Sequence, residues 1–472
     1  MIAKRTLYKA LLFICLLKTF YFLTFIFDRN PGIPSEFILN TFTLMSGDTK
    51  TYYYPLQTLY EDGQYNGMCR MPGLAPVYLP LRVFLSHNAT LTAIIFIQFI
   101  GDILATLLCS ILCFKIFKSL HAFWGCILLS SLSAFVLVRA NYLLSDSLCC
   151  TTLVLSGWFL YQWKETNKSR HLLISGAFMV WAVFLRQICV VMFPSFLGLI
   201  LFYSNYSWRK IFKSSVLFIL PFILGISLWT IRNKTTYNRT ILFVAPITEC
   251  MGQLTPEYFA IKKLLISMGQ DVEYWTVGTA AHWFYNENAN CPCPITEKNF
   301  SPSLTQDSIM TLHDNYRRFT ESDVKDSALS QQIISSCAHY SAIYKQENAL
   351  RYYLLDPFQH FVRFLFPKRL DDFPLPKRSE GKWYLQLVKG GNFLLMLAIH
   401  AALFIALFGF LFKRMGEALI WLSIGLLPVA VLSSLGWVEQ RYLASSHYFF
   451  ILAVSGVSAM ILNRLRHALP KQ

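Results

Sequence analysis

LTAIIFIQFIGDILATLLCSILCF, residues 91–114, carries one charged side chain, Asp102, in a run of twenty-four. At 1.5 Å per residue such a helix rises about 36 Å, enough to cross a hydrocarbon layer of ~30 Å. Lipid offers the backbone no hydrogen-bond partners, so a run of this kind must satisfy its own N–H and C=O groups as a helix. Nine more runs repeat the pattern: Leu7 to Phe27, Ala122 to Val138, Leu143 to Trp163, Leu172 to Phe184, Ile188 to Tyr203, Ile211 to Ile231, Asn392 to Phe412, Ala418 to Leu435 and Tyr442 to Leu462. Arg186 splits one long apolar stretch into the two short runs on either side of it. The 472 residues are 55% hydrophobic and 14% charged, where an ordinary soluble domain is about 25% charged. The expectation is an all-α polytopic membrane protein with about ten transmembrane helices.

Cations orient the chain. With the N-terminus in the cytoplasm, Lys4, Arg5, Lys9, Lys115, Lys118, Lys164, Lys168, Arg170, Arg209, Lys210, Lys213, Lys413, Arg414, Arg464, Arg466 and Lys471 fall on that side, against only Glu165 and Glu417. That is the positive-inside pattern, and it puts both termini in the cytoplasm. Lys4, Arg5 and Lys9 ahead of an apolar run resemble a signal peptide, but no small-residue cleavage site follows, so the first run is expected to stay as an anchor. Two long segments then lie outside, 28–90 and 232–389. The organisation expected is a transmembrane region over 1–231 that includes the loop 28–90, a small extracytoplasmic domain over 232–390, and C-terminal transmembrane helices over 391–472. Residues 232–389 hold 18 Lys+Arg against 16 Asp+Glu, a net of +2. The overall +16 is therefore mostly topogenic and gives no argument for a nucleic-acid partner.

No cytoplasmic loop is long enough for a nucleotide-sugar domain, and no glycine-rich phosphate loop follows a strand pattern, so any chemistry belongs outside. Seven cysteines lie in spans as small apolar residues. Cys69, Cys250, Cys291, Cys293 and Cys337 lie outside, where a bridge from Cys337 to one of the others and a set of free thiols are both open readings. Adjacent pairing within Cys291-Pro-Cys293 would strain a disulfide. His282, His313 and His339 lack the tight spacing of a zinc site.

The first outside loop reads SGDTKTYYYPLQTLYEDGQYNGMCRMPGLAPVYLPL, residues 46–81. Ser46 and Gly47 break the chain before Asp48, and Tyr52 to Tyr60 forms an aromatic amphipathic segment suited to the membrane interface. Asp48 falls at a helix start, where free N–H groups and the positive helix end favour its charged form. It reads either as a base or as an N-cap that ends the loop.

The order Gly-Asp, aromatic segment, Glu-Asp-Gly and Arg-Met-Pro-Gly with Pro-Val-Tyr-Leu-Pro-Leu resembles the first external loop of the C-type glycosyltransferases. It is most similar to the branch with protein O-mannosyltransferases and the lipid A aminoarabinose transferase. YLLSDSL at 142–148, FLRQ at 184–187 and VEQRYL at 438–443 extend the resemblance. It covers most of the membrane part and little of 232–389. The resemblance implies the C-type glycosyltransferase fold and an inverting transfer of sugar from a polyprenyl-phosphate donor to an acceptor hydroxyl on the extracytoplasmic face, with Asp48 as general base. It implies a second acidic position at Asp146, which also reads as a cap in Ser-Asp-Ser. The departing phosphate needs positive charge, and arginine supplies bidentate donors that stay charged. Arg70, Arg186 and Arg441 are the candidates, each with interface snorkelling or ion pairing as its plainer reading (for Arg441, with Glu439). Arg139 is a weaker case of the same kind. Tyr52 and Tyr78, like Tyr53 and Tyr54, either stack on sugar or anchor at the headgroups. Asp48 is followed by Thr49 and Lys50, so no Asp-x-Asp pair exists; a divalent metal is compatible with the sequence and not required by it.

Asp102, mid-span, is expected to pack as a protonated or hydrogen-bonded group away from the lipid phosphate. A secondary transporter is the rival class and would show paired broken spans in two halves; a polysaccharide polymerase or ligase is the rival enzyme. Partners are a polyprenyl-phosphate sugar donor, a protein, lipid or glycan acceptor and membrane lipid, with the chain expected as a monomer. The bacterial inner membrane is favoured over the endoplasmic reticulum, where the sequons at Asn88 and Asn238 would matter.

Overall fold

The computed structural model describes residues 2–27, 38–40, 42–45, 48–205, 207–244, 255–270, 272, 278–286, 292–322, 326–367, 383–436 and 439–468. The chain divides into two compact units, one of residues 1–244, 367–428 and 440–472, the other of residues 245–366 and 429–439.

The larger unit begins with α1 (Lys4–Phe27), a two-stranded antiparallel ribbon of β1 (Ile38–Asn40) and β2 (Thr43–Leu44), α2 (Thr49–Asp62) and α3 (Ala75–Phe84). It continues through α4 (His87–Phe117), α5 (Leu120–Leu132), α6 (Leu137–Ala140), α7 (Asp146–Thr166), α8 (Ser169–Leu185), α9 (Phe193–Tyr203) and α10 (Trp208–Tyr237). The other unit contains α11 (Pro256–Ser267), α12 (Ala280–Asn286), α13 (Gln306–Glu321), α14 (Ser327–Glu347) and α15 (Asp356–Leu365). The chain closes with α16 (Trp383–Phe412), α17 (Gly416–Ser434) and α18 (Ala444–Ala468). All ten apolar runs of the sequence are largely helical.

Among the described residues six helices, α1, α4, α10, α16, α17 and α18, are long and apolar enough to cross a membrane. The protein is an all-α integral membrane protein. The remaining runs are shorter or more polar for a visible reason: α7 buries Asp146, Ser147, Thr151, Thr152 and Ser156 against other helices, so its surroundings are protein rather than lipid. Close approach makes this possible. A Cβ on Gly176 of α8 would fall 2.1 Å from the Phe218 carbonyl oxygen of α10, so only glycine lets the two backbones meet there.

Two breaks interrupt the helices. The run Ala122 to Val138 bends at Ser133, whose hydroxyl lies 2.7 Å from His447 Nε2, and the freed Ala134 N–H donates to Asn392 Oδ1 at 2.7 Å. Non-helical backbone at membrane depth survives only where protein satisfies it, as Asn392 does here. The second break is at Arg186, which is extended (φ −147°, ψ 106°) between α8 and a 3₁₀ turn over Gln187–Met192.

Lys18 of α1 and Asp102 of α4 sit 15 and 16 residues into their helices and meet as an ion pair, Nζ to Oδ2 2.5 Å, with side chains 1% and 0% exposed. The Tyr448 hydroxyl of α18 donates to the other carboxylate oxygen and lies 3.1 Å from Thr106 Oγ1. Asp102 is thus a hydrogen-bonded packing residue, as expected, with Lys18 and Tyr448 as its partners.

The second unit has its own core, in which Ile261, Leu264, Trp283, Phe284, Leu312 and Tyr344 are buried together. Helices α11, α13 and α14 start on side-chain caps: Thr255 accepts from the Tyr258 N–H, Thr305 from the Ser308 N–H and Asp326 from the Ala328 N–H. His313 stacks on Trp283 with ring centroids 4.0 Å apart. Cys337 is a buried free thiol and does not form a bridge, whereas Cys69 of the first unit is disulfide-bonded. Cys250, Cys291 and the proline-rich exit at 368–376 lie outside the described residues.

Candidate active site

Backbone pairing brings two loops of the first unit together. The Leu44 N–H donates to the Asn141 carbonyl and the Leu143 N–H to the Leu44 carbonyl, each at 3.0 Å. Four residues after Leu44 the chain reaches Asp48, and three residues after Leu143 it reaches Asp146. A third segment is locked alongside: a Cβ on Gly73 would lie 2.5 Å from the Leu185 nitrogen, and Trp181 Nε1 donates to the Gly73 carbonyl at 2.7 Å. The Arg-Met-Pro-Gly turn therefore needs its glycine to seat against the backbone that carries Arg186.

Asp48 occupies the N-cap position of α2 but its side chain makes no cap hydrogen bond. It turns to guanidinium groups instead. Arg441 Nη1 donates to Oδ2 at 2.6 Å, and Arg70 Nη2 lies 3.4 Å from Oδ1. The Asp48 side chain is thus an ion-pair partner of arginine and not a helix cap. Arg70 is steadied by Nε donating to Thr51 Oγ1 at 3.1 Å and by the Tyr52 ring 4.6 Å beneath its guanidinium carbon. Burial alone would raise the Asp48 carboxyl, yet the charges of Arg441 and Arg70, with the Arg441 hydrogen bond and the more distant Arg186, hold it below its ordinary value.

Asp146, at the first position of α7, is ion-paired with Arg186, both nearly buried. Arg139 and Arg441 are within its electrostatic reach. The Tyr442 ring joins the two pairs, its centroid 5.1 Å from the Arg186 guanidinium carbon and 5.5 Å from that of Arg441. Among the described residues, the guanidinium groups of Arg70, Arg139, Arg186 and Arg441 thus act on the carboxylates of Asp48 and Asp146. Several buried polar atoms beside Asp146 have no partner among the described residues, including Arg186 Nε, Ser145 Oγ, Ser147 Oγ and both amide atoms of Asn141. A cluster of guanidinium groups with idle donors can receive an anion with several acceptor oxygens.

The structure therefore gathers Asp48, Arg70, Tyr52, Asp146, Arg186 and Arg441. Tyr78 is not brought in: it is fully buried and its hydroxyl lies 2.9 Å from His87 Nδ1, so no ring face is open to a sugar. Tyr52, 6% exposed, has a ring face taken by Arg70 rather than offered to sugar or headgroups. Tyr442 and Thr51 were not singled out by the sequence, although Tyr442 sits beside Arg441 in the quoted VEQRYL. Among the described residues no three His, Cys, Asp or Glu side chains gather for a metal. Both carboxylates are neutralised by arginine, a setting that repels a cation.

Residues 71–230 match the family model described as dolichyl-phosphate-mannose-protein mannosyltransferase. The match is a similarity of that segment, about a third of the chain. The resemblance first read from the loop around Asp48 and from YLLSDSL and FLRQ accordingly holds for the segment that carries Asp146 and Arg186. No curated protein matches the chain. Among solved structures, it is similar to the archaeal oligosaccharyltransferase AglB from Archaeoglobus fulgidus, in complex with an inhibitory peptide and a dolichol-phosphate, at 12% identity and a TM-score of 0.48. That match covers 99% of this chain and 52% of the other, so this chain spans about half the length of the archaeal protein. It is also similar to ArnT from Cupriavidus metallidurans bound to undecaprenyl phosphate, at 11% identity and a TM-score of 0.34, over 94% of this chain and 77% of that one. The apo form of ArnT gives 12% identity and a TM-score of 0.33, over 89% and 74%.

Proposed function

We propose that this protein is an inverting glycosyltransferase that moves a sugar from a polyprenyl-phosphate-linked donor to an acceptor hydroxyl, with Asp48 as general base. The observation that carries the reading is a carboxylate held by two guanidinium groups, beside a second carboxylate paired with arginine, in one cluster. A hydroxyl nucleophile needs a proton acceptor, and a departing phosphate needs cations; this cluster contains both.

Without substrate, Asp48 fills the place that a phosphate would take on Arg441 and Arg70. A donor phosphate competes for the same guanidinium groups. As they turn to it, Asp48 loses the charges that depress its carboxyl and becomes a better base. The acceptor oxygen then attacks the anomeric carbon, its proton passes to Asp48, and the bond from that carbon to the phosphate oxygen breaks. Charge that builds on the leaving phosphate is met by Arg441, Arg70 and Arg186, all in place before the reaction. No general acid is required, because a phosphate is a stable anion.

The site faces the extracytoplasmic side and both termini the cytoplasm, a topology supported by the basic loops at 115–118, 164–170, 209–213 and 413–414. The Cys69 disulfide, in the same loop as Asp48, agrees with an oxidising compartment. On this reading residues 1–231 and 391–472 form the membrane part with the site, and 232–390 an extracytoplasmic domain. The host membrane is a bacterial inner membrane, the acceptor a protein, lipid or glycan, and the working form a monomer. The experiment is transfer by purified protein supplied with polyprenyl-phosphate sugar. Asp48→Asn should lower the rate by about 10²–10⁴-fold, the usual contribution of a positioned base, while donor binding persists. Transfer at the wild-type rate in that variant would remove Asp48 from the mechanism.

A further inference from the structure

The face of the bundle remote from the site carries a second feature. From Ala444 to Arg464 helix α18 runs twenty residues, about 30 Å, so the Arg464 end lies on the opposite membrane face from Arg441. There α16 and α18 line a cavity of about 730 Å³ whose walls include Phe404, Phe408, Phe412, Met460 and Ile461, with Lys413 and Arg464 among its lining residues. The volume falls within the ~300–1,000 Å³ of small-molecule sites. Phe408 is 55% and Phe412 85% exposed, so the walls open to the surroundings rather than into the bundle. Among the described residues neither Lys413 nor Arg464 has an acidic partner, although Lys115 and Lys164 at the same basic face pair with Glu165 and Glu417.

We infer that this groove binds an anionic glycerophospholipid of the cytoplasmic leaflet. Apolar walls receive an acyl chain, and Lys413 with Arg464 hold the phosphate of the headgroup. Charge complementarity selects the occupant: a zwitterionic lipid fits the walls equally well but brings a cation of its own to the two basic side chains. Near a membrane surface each basic residue favours anionic lipid by about 1 kcal/mol, or roughly fivefold, so the pair amounts to about 30-fold. The site is structural or regulatory in kind and makes no use of Asp48 or its arginines.

The test is native mass spectrometry of the full chain released from mixed micelles that contain equal phosphatidylglycerol and phosphatidylcholine. Wild type should retain phosphatidylglycerol about 30-fold in excess, and Lys413→Gln with Arg464→Gln should bring the two lipids to parity. Ile461→Trp, which fills the groove and leaves both charges, should lose the retained lipid. Asp48→Asn should retain it like wild type, so failure here is separable from failure of the catalytic reading. Equal retention of the two lipids by wild type, or undiminished preference in the doubly substituted protein, overturns the inference.

Discussion

Asp48 and Asp102 are both carboxylates held by cations, yet their surroundings differ in every respect that matters for chemistry. Asp102 has one lysine, one tyrosine and no exposure, and its charge is cancelled in place. Asp48 keeps 16% exposure and is shared between two arginines. A closed, neutral pair ties α1, α4 and α18 together. An open cluster of arginines can receive an anion. Exposure and shared arginines, rather than the presence of an ionisable residue in a membrane protein, separate the proposed site from the structural pair.

The largest effect is expected at the closed pair. Asp102→Asn leaves Lys18 charged and uncompensated in the membrane interior, which should cost about 3–5 kcal/mol of stability; thermal unfolding in detergent measures it. Adding Lys18→Met should recover much of that loss, since removing both charges is far milder than removing one. If Asp102→Asn unfolded like wild type, the contrast between the two regions would collapse.

At the open cluster Arg441→Gln should reduce transfer by about 10- to 100-fold, in keeping with ~1.5–3 kcal/mol for hydrogen bonds to charged groups. Its melting temperature should move much less than that of Asp102→Asn. A variant that lost stability and kept its specific activity would make Arg441 a fold element.

The smallest effect is one of pH. Arg441 and Arg70 outweigh burial and hold the free Asp48 carboxyl, the proposed base, below its ordinary value. The acid limb of kcat/KM, which reports the free enzyme, should therefore lie below the ordinary aspartate range. Arg441→Gln should move the limb upward, and a limb that did not move would sever the link between the two residues. The same sign applies to stability: what the pair contributes is present above the unfolded-state value and lost as pH falls through the depressed folded one.

Much of this was legible in the sequence because lipid imposes a strong pattern. Ten apolar runs announced helices, and Arg186 announced a break that the structure places after Leu185. Asp48, Arg70, Asp146, Arg186 and Arg441 were named one by one from four separated stretches, and the fold brings them together. Lys18 escaped notice because its run was judged by its apolar neighbours; two ionisable residues at equal depth in separate spans were the available signal. The bend at Ser133 was hidden because it rests on Asn392, 258 residues away. Tyr78 was misread since a tyrosine in an outside loop looks alike whether it faces a headgroup, a sugar or His87. The core of the second unit joins residues far apart in the chain, such as Ile261, Trp283, Leu312 and Tyr344, and a single sequence does not say which helices pair.

A structure of the protein with polyprenyl phosphate bound tests the central claim most directly. The account predicts phosphate oxygens within hydrogen-bond reach of Arg441 and of Arg70 or Arg186, with the Asp48 carboxylate released from Arg441 and turned toward open space. Phosphate bound away from these arginines, with Asp48 still locked between Arg441 and Arg70, would contradict it.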